Sequence, residues 1–295
     1  MRKKTVSYSQ FSTWWCCPQR WRLDYIENLK TFEDSIHMSF GTAIHEAIQL
    51  FLTTLYNKTE EEAEAIDLIP IFIAAFQREV TRKHIPHTQI EFNEFVEDGK
   101  SILKEFTDPG IRKFHFPKNK YDLLGIEKKF LLDVVNNVTL DTRLDIVLKE
   151  KQSGDIRIVD LKTSTNEWSA YQRADFTKTS QLLLYKAAYS KANNIPLGKI
   201  HVEFIILKRK LYENAKYNQS RIQVFKPPAF QDNVMQVLKE FRHFVEYSFT
   251  SEGQHNTTAR YPKIPGKNQN NCRFCAYGKN GKCNKIAESP IKIIN

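Results

Sequence analysis

The chain has 295 residues, of which 41% are hydrophobic, and it carries a formal net charge of +10 at neutral pH. This length suits one large domain or two small ones, and the basic balance favours a polyanionic partner such as nucleic acid. A membrane protein is not expected, because the longest apolar runs are much shorter than a bilayer span. The basic start, Met1-Arg2-Lys3-Lys4, lacks the apolar core of a secretion signal, so we expect a cytoplasmic protein, or one in the host cytoplasm if a phage encodes it.

Residues 1–110 are predicted to form a mostly helical N-terminal section. The pattern Ser7-x-x-Gln10 is typical of a capping box, and it indicates a helix over residues 7–25. Apolar residues at helical spacing and a proline suited to a first turn predict three more helices. These are expected over residues 42–56, 70–85 and 89–106.

The period of the apolar pattern changes in residues 111–250, where strands and helices alternate. A hairpin turn is predicted at Asn136-Asn137, between two of the strands. The strands are expected over residues 123–134, 138–148, 156–161, 200–207 and 222–225. The helices are expected over residues 179–192 and 229–249. We therefore predict an α/β fold, in which a small mixed central β-sheet is flanked by helices.

Residues 251–295 are a polar tail that contains three of the five cysteines, Cys272, Cys275 and Cys283. The other two, Cys16 and Cys17, are adjacent and lie near the start of the chain. An odd number of cysteines in a cytosolic protein favours a metal site over disulfides. Such a site would tether the polar tail, which has little apolar surface with which to dock.

The segment Asp160-Leu161-Lys162 lies on a short apolar strand and predicts a catalytic centre. Strand alternation places Asp160 and Lys162 on one face, with Leu161 on the other. The carboxylate would hold a divalent metal, while the ammonium would orient the attacking water and stabilise developing charge. Asp145 offers a second hard oxygen ligand at the end of a preceding strand. An isolated Asp-x-Lys is more often a solvated pair, so this interpretation depends on the surrounding motifs.

Those surroundings resemble the RecB-like branch of the PD-(D/E)xK nuclease superfamily. The helical motif Gly-Thr-x-x-His matches Gly41-Thr42-Ala43-Ile44-His45, and the strand motif Asp-x-Lys-Thr matches Asp160-Leu161-Lys162-Thr163. The helical motif Gln-x-x-x-Tyr matches Gln181-Leu182-Leu183-Leu184-Tyr185. The strand motif Gly-x-x-Asp falls on Thr142-Arg143-Leu144-Asp145, with threonine in place of glycine, and Asp141 is an alternative carboxylate.

The resemblance implies a restriction-endonuclease-like core that binds Mg²⁺ or Mn²⁺. Carried over to this sequence, Asp145 and Asp160 would bind the metal, and the Leu161 carbonyl would be a third ligand. His45 would be a further ligand or would support one. The alternative for His45 is a helix histidine with only local contacts.

The resemblance also implies roles for three further residues. Lys162 would be catalytic, and Gln181 and Tyr185, which lie one helical turn apart, would support the site or touch the DNA strand. The alternative for Gln181 and Tyr185 is a helix face that packs on the sheet.

The pair Cys17-Pro18 resembles the cysteine-proline of RecB-like nucleases that carry an iron–sulfur cluster, among them AddB-type and CRISPR-associated exonucleases. Those members join the ends of the nuclease domain through one N-terminal and three C-terminal cysteines. The resemblance therefore implies that Cys17, Cys272, Cys275 and Cys283 hold a 4Fe–4S cluster, with zinc as the other metal that four thiolates suit. Cys16 is expected to be a buried neighbour of this site.

Together these features predict a metal-dependent DNA exonuclease that prefers single strands or DNA ends. Recombination, repair or phage DNA metabolism would be its setting, and a helicase or recombination protein could be its partner. Two alternatives stay open: a CRISPR-adaptation nuclease that trims spacer precursors, and a non-catalytic DNA-end-binding subunit. Metal-dependent release of nucleotides would separate the enzymes from the binding subunit.

Overall fold

The computed structural model of the protein describes residues 3–29, 34–267, 270–273, 275–279 and 283. These residues form an α/β structure around one mixed six-stranded sheet. The strands are β1 (Lys4–Ser7), β2 (Tyr121–Asp133), β3 (Val138–Glu150), β4 (Ile156–Ser164), β5 (Ile200–Lys208) and β6 (Ile222–Phe225). The predicted fold class, a mixed central sheet flanked by helices, is confirmed.

The helices of the described residues lie before, between and after the strands. They are α1 (Tyr8–Cys16), α2 (Pro18–Tyr25), α3 (Ile36–Asn57), α4 (Glu60–Glu64), α5 (Leu68–Arg82), α6 (Gln89–Thr107), α7 (Pro109–His115), α8 (Ala170–Ala174), α9 (Phe176–Asn193), α10 (Gln231–Ser248), α11 (Asn270–Arg273) and α12 (Ala276–Lys279). None of these described helices is both long enough and apolar enough to cross a bilayer.

The long strand β3 organises the sheet, because three strands pair with it. β2 runs antiparallel along one edge of β3 for nearly its whole length. The other edge is shared: β1 pairs in parallel with its start, up to Asp141, and β4 pairs antiparallel with its later part, from Ile146. β5 continues the sheet parallel to β4, and β6 is antiparallel to β5. The residues between Asp141 and Ile146 are therefore left without a strand partner on that edge.

Helices cover both faces of the sheet. Val159 and Leu161 of β4 pack into a core with α3, α5 and α6, whereas Ile156 and Ile158 pack against α9 on the other face. This division follows from strand alternation, which sends successive side chains to opposite faces. A third core joins α9 to α1, α2 and α10. The face that carries Asp160 and Lys162 is thus the face covered by α9.

The helix predicted over residues 7–25 is in fact two helices. Pro18 disfavours helical geometry at the residue before it, and Cys17 is extended, with φ −164° and ψ 103°. Ser7 occupies the N-cap position of α1, but its side chain makes no capping hydrogen bond. The break turns Cys17 away from the helical course of α1. The proposed division of the chain at residues 110 and 250 stays a prediction.

Candidate active site

A gap in the hydrogen bonding between two strands creates the site. The ladder between β3 and β4 ends at the pair Ile146–Val159. The next residues on the two strands are Asp145 and Asp160, so two carboxylates come together where the strands separate. The Leu161 N–H, instead of meeting a further β3 carbonyl, donates to Asp145 Oδ2 at 2.8 Å. The strand ends are therefore held apart by a side chain, which leaves room for a ligand.

Lys162 lies beside this carboxylate pair. Its Nζ is 2.7 Å from Asp160 Oδ2, and the side chains of Lys162 and Asp160 are 31% and 2% exposed. Among the described residues, no donor makes a well-formed hydrogen bond to Asp160 Oδ2, which is held by the ion pair alone. Burial lowers the pKa of Lys162, but the charges of Asp160 and Asp145 outweigh it, and the net pKa is raised. The ammonium therefore stays charged at the site.

Helix α3 brings His45 to the carboxylates because Gly41 allows the helix to approach β4 closely. A Cβ at Gly41 would lie 2.9 Å from Thr163 Oγ1, so a larger residue would require the Thr163 side chain or the helix to shift. One turn later, His45 Nδ1 lies 3.8 Å from Asp145 Oδ2. Burial lowers the pKa of His45 to about 4, against the raising effect of the Asp160 charge. The imidazole is therefore neutral at physiological pH, the form that binds metals.

Glu127 of β2 is a site residue that motif reasoning missed. Ligand atoms of Glu127, His45 and Asp145 all lie within 4.8 Å of one another. Gln49 Nε2 donates to Glu127 Oε1 at 2.7 Å, which orients the carboxylate. Glu127 has a φ of +50°, a conformation that is uncommon outside glycine and clusters at functional sites. This strained backbone points to a role beyond packing.

The signal that could have revealed Glu127 is the register of the predicted hairpin. Residues on either side of it pair as Ile126–Ile146 and Lys128–Leu144, which places Glu127 opposite Asp145. The turn at Asn136-Asn137 was visible in the sequence, and both of its residues have positive φ. A two-residue turn there would pair Val135 with Val138 and place Lys128 opposite Asp145, whereas Val134 in fact pairs with Val138. Counting back from the turn would therefore have located Glu127 only to within one residue.

The alternative carboxylate, Asp141, lies away from this centre. It forms an ion pair with Lys129 Nζ at 2.8 Å, on a part of β3 that pairs with β1 and β2. Thr142, which stands in place of the family glycine, is buried, and its hydroxyl donates to the Phe130 carbonyl at 3.0 Å. Asp145 is thus the residue of this motif that reaches the other site residues.

Helix α9 supplies Gln181 and Tyr185 from above the Asp160 face. Gln181 Nε2 lies 3.4 Å from Asp160 Oδ1 and donates to the Tyr185 hydroxyl at 2.8 Å. Tyr185 is buried, and burial, followed by the Asp160 charge, raises its pKa, so the hydroxyl stays protonated. Gln181 therefore links Asp160 to the helix, and Tyr185 fixes Gln181.

The donor set fits a hard divalent cation. The pKa of Asp145 is raised well above its usual range, first by burial and second by the charge of Asp160. The negative charges of these neighbouring carboxylates repel each other. A divalent cation would relieve this repulsion, and the neutral imidazole can bind the same cation. The Leu161 carbonyl also lies here, since a hydrogen bond with it raises the pKa of His45. The structure thus brings the sequence-predicted ligands together, and their roles stay predictions.

The four predicted cysteine ligands also come together, at the junction of α2 with the tail. One small cavity is lined by all four of them, Cys17, Cys272, Cys275 and Cys283. Burial is the largest cause of the raised pKa of Cys283; Lys263 opposes it, and the three other cysteines add to it. Cys16 is half-buried, rather than buried as expected, and does not line the cavity.

Direct contacts fasten the tail to the N-terminal helices around this cavity. The Ile264 N–H donates to Cys17 Sγ at 3.4 Å, and Asn271 Nδ2 donates to the Cys16 carbonyl at 3.0 Å. The buried Tyr277 hydroxyl donates to Asp24 Oδ1 at 2.6 Å. Residues about 250 positions apart along the chain are therefore neighbours, as the tether hypothesis requires.

Comparisons with known proteins identify the family to which this chain belongs. A family profile described as the PD-(D/E)XK nuclease superfamily matches residues 5–279. The crystal structure of a candidate exonuclease from Eubacterium rectale superposes with a TM-score of 0.55 at 11% identity, covering 99% of this chain and 92% of that chain, which shows a shared fold. The structure of SSO0001 gives a TM-score of 0.31 at 9% identity over 89% and 93% of the two chains, too low to carry an argument. A search of curated proteins finds no significant match. Because the profile match spans nearly the whole chain, the protein belongs to the PD-(D/E)XK nuclease superfamily.

Proposed function

We propose that the protein is a Mg²⁺- or Mn²⁺-dependent DNA exonuclease of the RecB-like branch, acting on single-stranded DNA or DNA ends. The observation that carries this proposal is the convergence of Asp145, Asp160, Glu127 and His45 beside the charged Lys162. Metal-dependent phosphodiester hydrolysis needs such a set of hard ligands with a cation next to it. A chain that only bound DNA ends would have no need for a buried, mutually repelling carboxylate pair.

Each side chain has a role that follows from its position. Asp145, Asp160, Glu127 and His45 would hold the metal, together with the Leu161 carbonyl. When bound, a divalent metal supplies Lewis-acid polarisation of the phosphate and a lowered pKa for water.

The remaining residues act on the substrate and on the ligands. The Lys162 ammonium stabilises negative charge that develops on a phosphate oxygen and orients the attacking water. Gln181, anchored by Tyr185, holds Asp160 in place from the opposite side to Lys162. Removing Gln181 should therefore weaken catalysis less than removing Lys162.

We also propose that Cys17, Cys272, Cys275 and Cys283 bind a 4Fe–4S cluster, as in AddB-type nucleases. The four cysteines line one cavity, and four thiolates suit either a 4Fe–4S cluster or zinc. The preference for iron rests on the resemblance to the cluster-bearing nucleases. The cluster would join the tail to α2 and stabilise the domain that carries the active site.

The setting of the activity is recombination, repair or phage DNA metabolism, with a helicase or recombination protein as a partner. Support for a DNA substrate comes from the net charge of +10, which suits a phosphate backbone. Location in the cytoplasm, where such DNA is found, is part of the same proposal.

The test is hydrolysis of end-labelled linear DNA, single-stranded and double-stranded, with Mg²⁺, with Mn²⁺ and with EDTA. Closed circular single-stranded DNA distinguishes the mode of attack, because an exonuclease leaves it intact. We expect nucleotides to be released from linear DNA only when metal is present, and Lys162→Ala to release none above background. Cleavage of the circle would refute the exonuclease mode. End binding without any metal-dependent release would support a non-catalytic subunit instead.

A further inference from the structure

A cavity of about 300 Å³ opens beside the carboxylate–lysine centre, between the end of β4, α8 and the first turns of α9. It shares Lys162 and Gln181 with the centre and extends away from them to Lys178. Thr163 and Ser164 at the end of β4 also line it. None of the described residues that line it is acidic. The lining thus offers cations and hydrogen-bond donors, the groups that bind phosphate oxygens.

Lys178 is the cation at the far end of this cavity. Its Nζ lies 4.7 Å from the centre of the Trp168 ring, a cation–π contact that positions the charge without neutralising it. Trp168 is buried, and its backbone N–H donates to Gln223 Oε1 at 2.7 Å. The nearby Asp175 carboxylate caps α9 by accepting from the Thr177 N–H and hydroxyl. Within the described part of the chain, Lys178 has no carboxylate as an ion-pair partner.

A second cavity, on the other side of Lys162, also contains basic residues, but these form ion pairs with carboxylates. That cavity includes Lys83 and Arg209. Lys83 pairs with Asp34 and Glu79, and Arg209 pairs with Asp98. Their charges are already compensated by the protein. Lys178 lines a cavity at the centre as they do, but among the described residues its charge has no carboxylate partner.

We propose that Lys178 binds the phosphate next to the scissile one, and that the cavity holds the nucleotide between the two phosphates. Lys178 precedes Gln181 by three residues, so both lie on one face of α9. They are separated by about 4.5 Å along the helix axis, three residues at about 1.5 Å each, and both line the same cavity. Because Gln181 contacts Asp160, a strand that reaches Lys178 through this cavity would place there the phosphate next to the reacting one. This inference rests on the proposed nuclease function and specifies its substrate as a polynucleotide with consecutive phosphates.

The experiment compares three short substrates with one phosphodiester bond each: dTpdT, pdTpdT and dTpdTp. One of the two added terminal phosphates should raise kcat/KM of the wild-type protein about tenfold, as expected for a charge-assisted contact. Lys178→Ala should abolish this gain and leave kcat/KM for dTpdT unchanged. Lys178→Arg should retain the gain. The matched control is Lys191→Ala, which removes an exposed charge from the other end of α9 and should change nothing.

A second measurement is independent of catalysis. Binding of a fluorescent single-stranded oligonucleotide in EDTA should depend less steeply on salt in Lys178→Ala, with the log–log slope reduced by about 0.7. Equal losses of kcat/KM on dTpdT and on the phosphorylated substrate that shows the gain, no gain from either terminal phosphate, or a wild-type salt slope in Lys178→Ala would overturn the proposal. A protein that hydrolyses no DNA but shows the Lys178-dependent slope would refute the nuclease function and keep the phosphate contact.

Discussion

Lys162→Ala removes the ammonium that lies 2.7 Å from Asp160 Oδ2. A unit charge about 4 Å from a phosphate oxygen interacts with it by about 4 kcal/mol at an effective dielectric constant near 20. Part of that interaction is already present in the ground state, so we expect the barrier to rise by about 3 kcal/mol. The expected loss in kcat is then at least about 100-fold.

The same substitution should also destabilise the metal-free protein. Without the ammonium, Asp160 and Asp145 remain together with no compensating charge. Breaking a fully buried ion pair costs about 3–5 kcal/mol; the Lys162 side chain is 31% exposed, so solvent screening reduces the expected cost to about 2 kcal/mol. The native α/β fold should still form, since the hydrophobic cores do not involve this charge.

Asp145→Asn should have the opposite effect on stability and the same effect on activity. The raised pKa of Asp145 means that its charge is unfavourable in the metal-free fold. Removing that charge should stabilise the metal-free protein by about 1 kcal/mol, since the asparagine oxygen can still accept from the Leu161 N–H. Loss of a carboxylate ligand should nevertheless abolish metal-dependent cleavage.

Thermal unfolding in EDTA and hydrolysis of end-labelled single-stranded DNA with Mg²⁺ measure the two effects. Lys149→Ala is the matched control, because it removes an exposed lysine from β3 and should alter neither property. Near-wild-type cleavage by Lys162→Ala or Asp145→Asn would refute the assignment of the centre. Stability changes of the same sign in both variants would refute the electrostatic reasoning.

Four further variants and one salt titration of DNA binding test the remaining conclusions. Affinity for single-stranded DNA should fall with salt with a log–log slope near −3.5 if about five phosphates are neutralised; a flat response would mean that the basic charge serves solubility alone. Glu127→Gln should lower Mn²⁺ affinity about tenfold in calorimetric titration, and unchanged affinity would remove Glu127 from the ligand set. Cys17→Ser should lose the metal, whereas Cys16→Ser should keep about four irons per chain; normal iron content in Cys17→Ser would contradict the tether. The folded pKa of His45 is about 4, below its unfolded value of about 6.5, so its titration should lower the free energy of unfolding of the metal-free protein by up to about 3 kcal/mol as pH falls from 6.5 to 4. The raised pKa of Asp145 acts in the opposite direction over this range. Denaturation of His45→Gln should show this pH dependence reduced, and an unchanged profile would contradict it.

The local pattern of apolar residues was sufficient to predict most of the helices and strands. The expected helix over residues 89–106 is α6, the expected strand over 200–207 is β5, and the edge strand over 222–225 is β6. These segments have apolar residues at a clear period of 3.6 or 2, and they are buried on one face as that period requires. The four-residue β1 is too short to show a period, and it forms because the start of β3 has an open edge.

The motifs named residues that the structure brings together, but they did not name Glu127, which lies beside them. Glu127 belongs to no quoted motif, and its position depends on pairing between β2 and β3. Lys178 likewise has no motif of its own, and its relation to Lys162 depends on how α9 packs over β4. Such contacts are set by packing between distant segments, which a local pattern does not encode.

By itself, the sequence determined the alternation of helices and strands, the identity of the Asp-x-Lys strand and the chemistry available to it. Period and residue type are local properties, so they could be read directly from the chain. The tertiary structure alone decided that β1 and β4 share one edge of β3 and leave a gap at Asp145. It also decided that Cys17 meets a tail about 250 residues away. Both outcomes depend on long-range packing, because many segments must bury their apolar faces and complete their hydrogen bonds at the same time.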